Sequence, residues 1–105
     1  MSAVALVTGG SGGIGAAIVD SLAAQGMIVL SAGRNRAPLE RQSEAAKRQG
    51  REVIPVVMDA ADRSSVRAGI APHPRIDVLV NCAGAYSDGQ FLDVTESDFE
   101  ILLKA

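Results

Sequence analysis

The chain is poor in reactive and aromatic side chains: among 105 residues there are one cysteine, one histidine, one tyrosine, two phenylalanines and no tryptophan. A lone Cys82 cannot close an internal disulfide, which excludes a disulfide-stapled scaffold. One histidine and one cysteine do not make a credible zinc site, so no metal is expected. His73 stands in the connector Pro72-His73-Pro74 and reads as a surface residue rather than a general base. Apolar runs are short, and none reaches the roughly 18 residues that a membrane span needs. Met1-Ser2-Ala3-Val4 leads directly into an apolar segment, without the basic stretch and cleavage site of a signal peptide. The net charge of −2 argues against a nucleic-acid partner held by phosphate contacts. Together these absences lead us to expect a cytoplasmic protein with no membrane and no nucleic-acid partner.

What the chain does have is glycine and short apolar segments. Of its 11 glycines, five fall between Gly9 and Gly15. Val4–Val7, Met27–Leu30, Val53–Val57 and Ile76–Val80 read as strands, mostly apolar on both faces as buried parallel strands are. Pro55 removes a ladder donor and predicts that the third strand lies at a sheet edge. Helical segments alternate with these strands. Ile14, Ala17, Ile18, Ser21 and Leu22 fall on one face at helical spacing, and Gly26 stops that helix. Pro38 fits the first turn of a second helix and Gly50 its end, with Glu40, Arg41, Glu44, Lys47 and Arg48 on a solvated face. Asp62 can cap a short third helix through Ile70. Thr95-Glu96-Ser97-Asp98 outlines an imperfect capping box before Phe99, Leu102 and Leu103. The alternation predicts an α/β fold: a Rossmann-type parallel sheet flanked by helices, of about four strands in the order 3-2-1-4, within one domain spanning 1–105.

Thr8-Gly9-Gly10-Ser11-Gly12-Gly13-Ile14-Gly15 joins the first strand to the first helix. A helix N-terminus presents unpaired N–H groups and a partial positive charge. Glycines let a pyrophosphate approach those groups without a Cβ in the way. Three spacings overlap here: Gly10-x-Gly12-x-x-Gly15, Gly9-x-x-Gly12-x-x-Gly15, and Gly9-x-x-x-Gly13-x-Gly15. No lysine follows the loop, so a Walker A site is excluded.

Asn81-Cys82-Ala83-Gly84 ends the fourth strand. With TGxxxGIG after the first strand, this NxAG resembles the short-chain dehydrogenase/reductase family over essentially the whole chain. Cys82 replaces the family's more usual second asparagine. The resemblance implies an oxidoreductase acting on a carbonyl or secondary alcohol, with a nicotinamide dinucleotide held by Gly9, Ser11, Gly12, Gly13, Ile14 and Gly15. It implies that Asn81 braces the sheet beside the cofactor, that Ala83 and Gly84 line the nicotinamide-side ribose, and that Asp59, with Ala60 beside it, meets the adenine amino group. The family also leads us to expect a homo-oligomer.

An NAD site wants an acid roughly 20 residues beyond the glycine loop to hold the ribose 2′-hydroxyl. Gly33 stands at that place, and Arg34-Asn35-Arg36 follows. A guanidinium can bind a 2′-phosphate in bidentate fashion, so Arg34, with Arg36 nearby, points to NADP over NAD, and Asn35 between them is counted with the cofactor-binding residues.

The family's chemistry uses a tyrosine with a lysine four residues later, assisted by a serine and an asparagine. Here Tyr86 is followed four residues later by Gln90, and Lys47 and Lys104 are preceded at that distance by Ser43 and Glu100. No catalytic residue is therefore assigned. The expectation is the cofactor-binding half of such an enzyme, inactive by itself. The alternatives are a non-catalytic dinucleotide-binding module or a fragment without function.

Overall fold

A computed structural model describes residues 2–82. Four strands, β1 (Val4–Thr8), β2 (Ile28–Gly33), β3 (Val53–Val57) and β4 (Val78–Asn81), alternate with α1 (Gly13–Ala24), α2 (Arg36–Arg48) and α3 (Arg63–Ile70). The sheet runs β3-β2-β1-β4 and every pairing is parallel. Architecture and strand order are those expected. Pro55 lies on the edge strand β3, where its missing N–H costs no ladder bond to a further strand among the described residues.

The order explains where the helices go. From β1 to β2 to β3 the chain moves one way, and right-handed crossovers put α1 and α2 on the same face. There Val19 and Ala23 of α1 and Ala46 of α2 pack on Val7, Val29 and Val53. The next crossover reverses direction to reach β4, so α3 lies on the opposite face. Its Val66 and Ile70 pack on Leu6, Leu30, Val56 and Met58. Both faces of the sheet are thus covered, which is why the strands are apolar on both sides.

The helix ends follow local rules. Gly26 and Gly50 have φ of 91° and 72°, the left-handed conformation that glycine adopts without a Cβ clash. After α1, Met27 N–H bonds Leu22 C=O and Gly26 N–H bonds Ala23 C=O; α2 repeats the arrangement with Arg51, Gly50, Ala46 and Lys47. These are Schellman closures. At α3, the Asp62 carboxylate accepts from the N–H groups of Ser64 and Ser65 at 2.9 and 3.3 Å, the cap expected of it.

Two readings need correction. The buried stripe of α1 is Gly15, Val19 and Ala23, with Ile18 and Leu22 beside it; Ile14, Ala17 and Ser21 face solvent. The apolar stripe is therefore rotated by about one residue, because Gly15, having no side chain, is the residue that sits against the loop. In addition, β2 continues past Leu30 through Ser31 and Ala32 to Gly33. Small and polar residues hid that extension, but Ser31 is fully buried and its hydroxyl is hydrogen-bonded to Gln42 of α2. The capping box at residues 95–98 and the helix after it lie outside the described residues.

Candidate cofactor site

Strand order reverses between β1 and β4. The carboxyl ends of these two strands flank the crevice in which open parallel sheets bind ligands. The glycine loop leaves β1 there, Asn81 closes β4, Arg34 and Asn35 follow β2, and Asp59 and Ala60 follow β3. The described residues singled out in the sequence therefore share one end of the sheet. Ala83 and Gly84 lie outside the described residues, as does Tyr86.

The geometry separates the five glycines that the overlapping spacings could not. Gly9 has φ of 67°, and its carbonyl accepts from Gly12 N–H at 3.2 Å, folding the loop into a turn. A methyl group at Gly15 would overlap that same Gly9 carbonyl oxygen and meet Gly10 Cα at 3.2 Å. One at Gly10 would overlap Ser31 Oγ on β2. Gly10 and Gly15 thus serve close packing, and Gly9 the positive φ of the turn. Gly13 differs, since among the described residues a methyl group there would meet nothing within 4 Å beyond its own chain neighbours and helix backbone. The side of the loop that a Cβ at Gly13 would fill is open to a ligand.

The first turn of α1 completes the picture. Its N-cap is Gly12, which has no side chain with which to cap. The carboxylate service that Asp62 gives α3 is missing, so among the described residues no side chain caps the leading N–H groups of α1. Beside them Ile14 is 78% exposed. Uncapped amides, a glycine cradle and a helix dipole suit a pyrophosphate. The residues present therefore fit the phosphate portion of a dinucleotide.

Thr8, passed over in the sequence as part of the loop, fixes β1 to β4 at the crevice. It is buried, and its Oγ1 accepts from Cys82 N–H at 3.2 Å while donating toward Asn81 Oδ1, also at 3.2 Å. Cys82 N–H also bonds Thr8 C=O at 3.1 Å. Asn81 is thus tied to the end of β1 through Thr8. The Cys82 side chain is not required for this, because the contact uses its backbone.

At β2, Arg34 is exposed and its guanidinium has no ion-pair partner among the described residues. Arg36, two residues on, lies 3.8 Å from Glu40. Of the two arginines, Arg34 is the one whose charge meets no acid among the described residues. Gly33 precedes it, and a Cβ there would meet the Leu39 side chain at 3.7 Å, an ordinary contact. The absence of an acid at residue 33 is therefore not a steric necessity. Asp59 is half-buried after β3, with Oδ1 accepting from Ala61 N–H at 3.0 Å and its own N–H donating to Ser65 Oγ at 2.8 Å. The carboxylate thus braces its own turn at the sheet edge. Among the described residues there is no group of histidine, cysteine and acidic side chains that could hold a metal. No helix among them is long and apolar enough to cross a membrane.

A family model described as short chain dehydrogenase matches residues 3–105. An uncharacterized short-chain type dehydrogenase/reductase of Sinorhizobium fredii is 43% identical over 101 residues, covering 95% of this chain and 38% of that protein. Among solved structures, a blue fluorescent protein from a metagenomic library in complex with NADPH is 36% identical with a TM-score of 0.71, covering 94% of this chain and 43% of that one. A short chain dehydrogenase/reductase from Burkholderia phymatum in complex with NAD is 27% identical with a TM-score of 0.67, covering 74% and 29%. The chain spans about two fifths of the length of the relatives it matches over most of its own length. On the family match and the shared fold together, this chain belongs to the short chain dehydrogenase family.

Proposed function

We propose that the chain is the NADP(H)-binding part of a cytoplasmic, homo-oligomeric oxidoreductase that interconverts a carbonyl and a secondary alcohol. The observation that carries the cofactor preference is the guanidinium of Arg34, which meets no acid among the described residues, beside Gly33, where an NAD site would place an acid. When bound, the nicotinamide supplies a hydride donor or acceptor. The chain's own residues bind and orient it. Gly12 to Gly15 offer amide N–H groups to the pyrophosphate, Ser11 flanks them, and Arg34 with Asn35 receives the 2′-phosphate. Asp59 and Ala60 border the adenine, Thr8 and Asn81 hold the crevice walls in register, and Ala83 and Gly84 meet the nicotinamide-side ribose. No Tyr–Lys pair at the family's spacing occurs in these residues, so proton transfer to the substrate oxygen falls to residues that this chain does not contain. The same lack supports a second reading, a dinucleotide-binding module without turnover.

Calorimetric titration with NADPH and NADH tests the preference. Arg34→Ala should weaken NADPH by on the order of tenfold or more, the loss of a charge-assisted contact, and leave NADH nearly unchanged. Gly33→Asp should move the preference toward NADH, since the added carboxylate accepts from a 2′-hydroxyl and repels a 2′-phosphate. Equal losses of both cofactors in Arg34→Ala would remove Arg34 from the 2′-phosphate site.

A further inference from the structure

Gln42 lies nearly two turns into α2, outside the glycine motif, yet it reaches the glycine loop. Its Nε2 donates to the Gly10 carbonyl at 2.6 Å, and its Oε1 accepts from Ser31 Oγ at 2.6 Å. A carbonyl oxygen can only accept, so the amide nitrogen must be the atom facing Gly10, and the amide orientation is fixed. Gly10 N–H bonds Ala32 C=O at 3.1 Å. Gly10 is thereby held on its N–H by β2 and on its C=O by α2, and Ser31 fills the space that a Cβ at Gly10 would need.

The consequence lies in the next peptide plane. The Gly10–Ser11 peptide is trans, so its C=O and N–H point in opposite directions. Holding the Gly10 carbonyl inward on Gln42 turns the Ser11 N–H outward, away from α2. If the plane flipped, a carbonyl would face outward, toward any bound anion. Such a flip turns ψ of Gly10 and φ of Ser11, and Gly10, with no Cβ, adopts most values of ψ without strain.

We propose that Gln42 is a positioning residue for dinucleotide binding. It acts through the Gly10–Ser11 peptide, keeping the loop's N–H groups rather than a carbonyl on the pyrophosphate side. The assignment rests on the dinucleotide reading of the site and adds to it a residue outside the glycine motif.

The test uses three probes on the full chain. NADPH and NADH both carry a pyrophosphate, whereas adenosine 2′-monophosphate carries the adenosine end and no pyrophosphate. Gln42→Ala should weaken NADPH and NADH by the same factor, about tenfold for a lost hydrogen bond together with the freed flip, and leave adenosine 2′-monophosphate unchanged. Gln42→Glu keeps the acceptor for Ser31 but sets a carboxylate against the Gly10 carbonyl, and should lose more than Gln42→Ala. Ser31→Ala, which frees the amide while leaving its donor in place, should lose less. Arg34→Ala should give the opposite pattern, with NADPH and the 2′-monophosphate weakened and NADH spared. Unchanged dinucleotide affinity in Gln42→Ala overturns the proposal and leaves the site reading intact. Loss of the 2′-monophosphate along with the dinucleotides shows Gln42 to be a prop of α2 and likewise overturns it. If the unsubstituted chain binds none of the three, the dinucleotide reading itself fails.

Discussion

Glycines that look alike in the sequence have different tasks, and substitution should tell them apart. Gly13 faces open space, whereas Gly15 is pressed on the Gly9 carbonyl. Gly13→Val should therefore abolish NADPH binding while leaving far-UV circular dichroism unchanged and the unfolding free energy within about 1 kcal/mol, the scale of a helix-propensity change. Gly15→Ala should instead cost about 1–3 kcal/mol through overpacking, visible as a lowered urea midpoint. Equal effects in the two variants would contradict this division of roles. The loop was legible in the sequence as a glycine turn leading into a helix N-terminus, and Arg34 and Asn81 could be singled out from motif and position. The individual roles of the glycines were not legible, because three spacings fit the same stretch and only the path of the chain chooses among them. Gln42 was also hidden. A polar residue on a charged helix resembles a solvated one until the fold brings Gly10 within 2.6 Å of it.

Strand order could be read from the β–α alternation and from Pro55, because crossover handedness and the missing donor restrict the options. Element ends were harder where the signal is small or polar. β2 runs on through Ser31 because Gln42 satisfies the buried hydroxyl, a contact from another element that no local pattern contains. At the amino end of the sheet, opposite the crevice, Asp77 ties β4 to β1. Its Oδ2 accepts from Val4 N–H at 2.8 Å, its own N–H donates to Val4 C=O at 2.7 Å, and Arg75 Nε lies 3.0–3.1 Å from both carboxylate oxygens. The Val4 N–H first, and then the Arg75 guanidinium, hold the Asp77 carboxyl below its ordinary value. A carboxyl depressed in the folded state adds stability that is fully present above the unfolded value of about 3.9 and is lost as pH falls through the lower, folded one. Thermal midpoints measured from about pH 6 downward should therefore converge for the unsubstituted chain and Asp77→Asn as acid removes the contact. Parallel curves would show that Asp77 does not stabilise this edge.

For the whole molecule, binding and turnover are separate properties. With no tyrosine and lysine at the family's spacing, the chain should bind NADPH yet catalyse no NADPH oxidation with a carbonyl substrate. Among the described residues β4 pairs with β1 alone, and Val78 at its start is 38% exposed. An apolar strand edge templates association, so gel filtration should show self-association that NADPH partly relieves by stabilising the folded state. The central claim is that the cofactor's phosphates lie at the carboxyl end of the sheet, on the loop between β1 and α1. Backbone amide resonances followed during NADPH titration test it most directly. The account predicts the largest shifts at Ser11, Gly13, Ile14, Gly15 and Arg34, with Val4, His73 and Asp77 at the far end unmoved. Shifts that cluster at Val4 and Asp77, or that leave the glycine loop untouched, would contradict it.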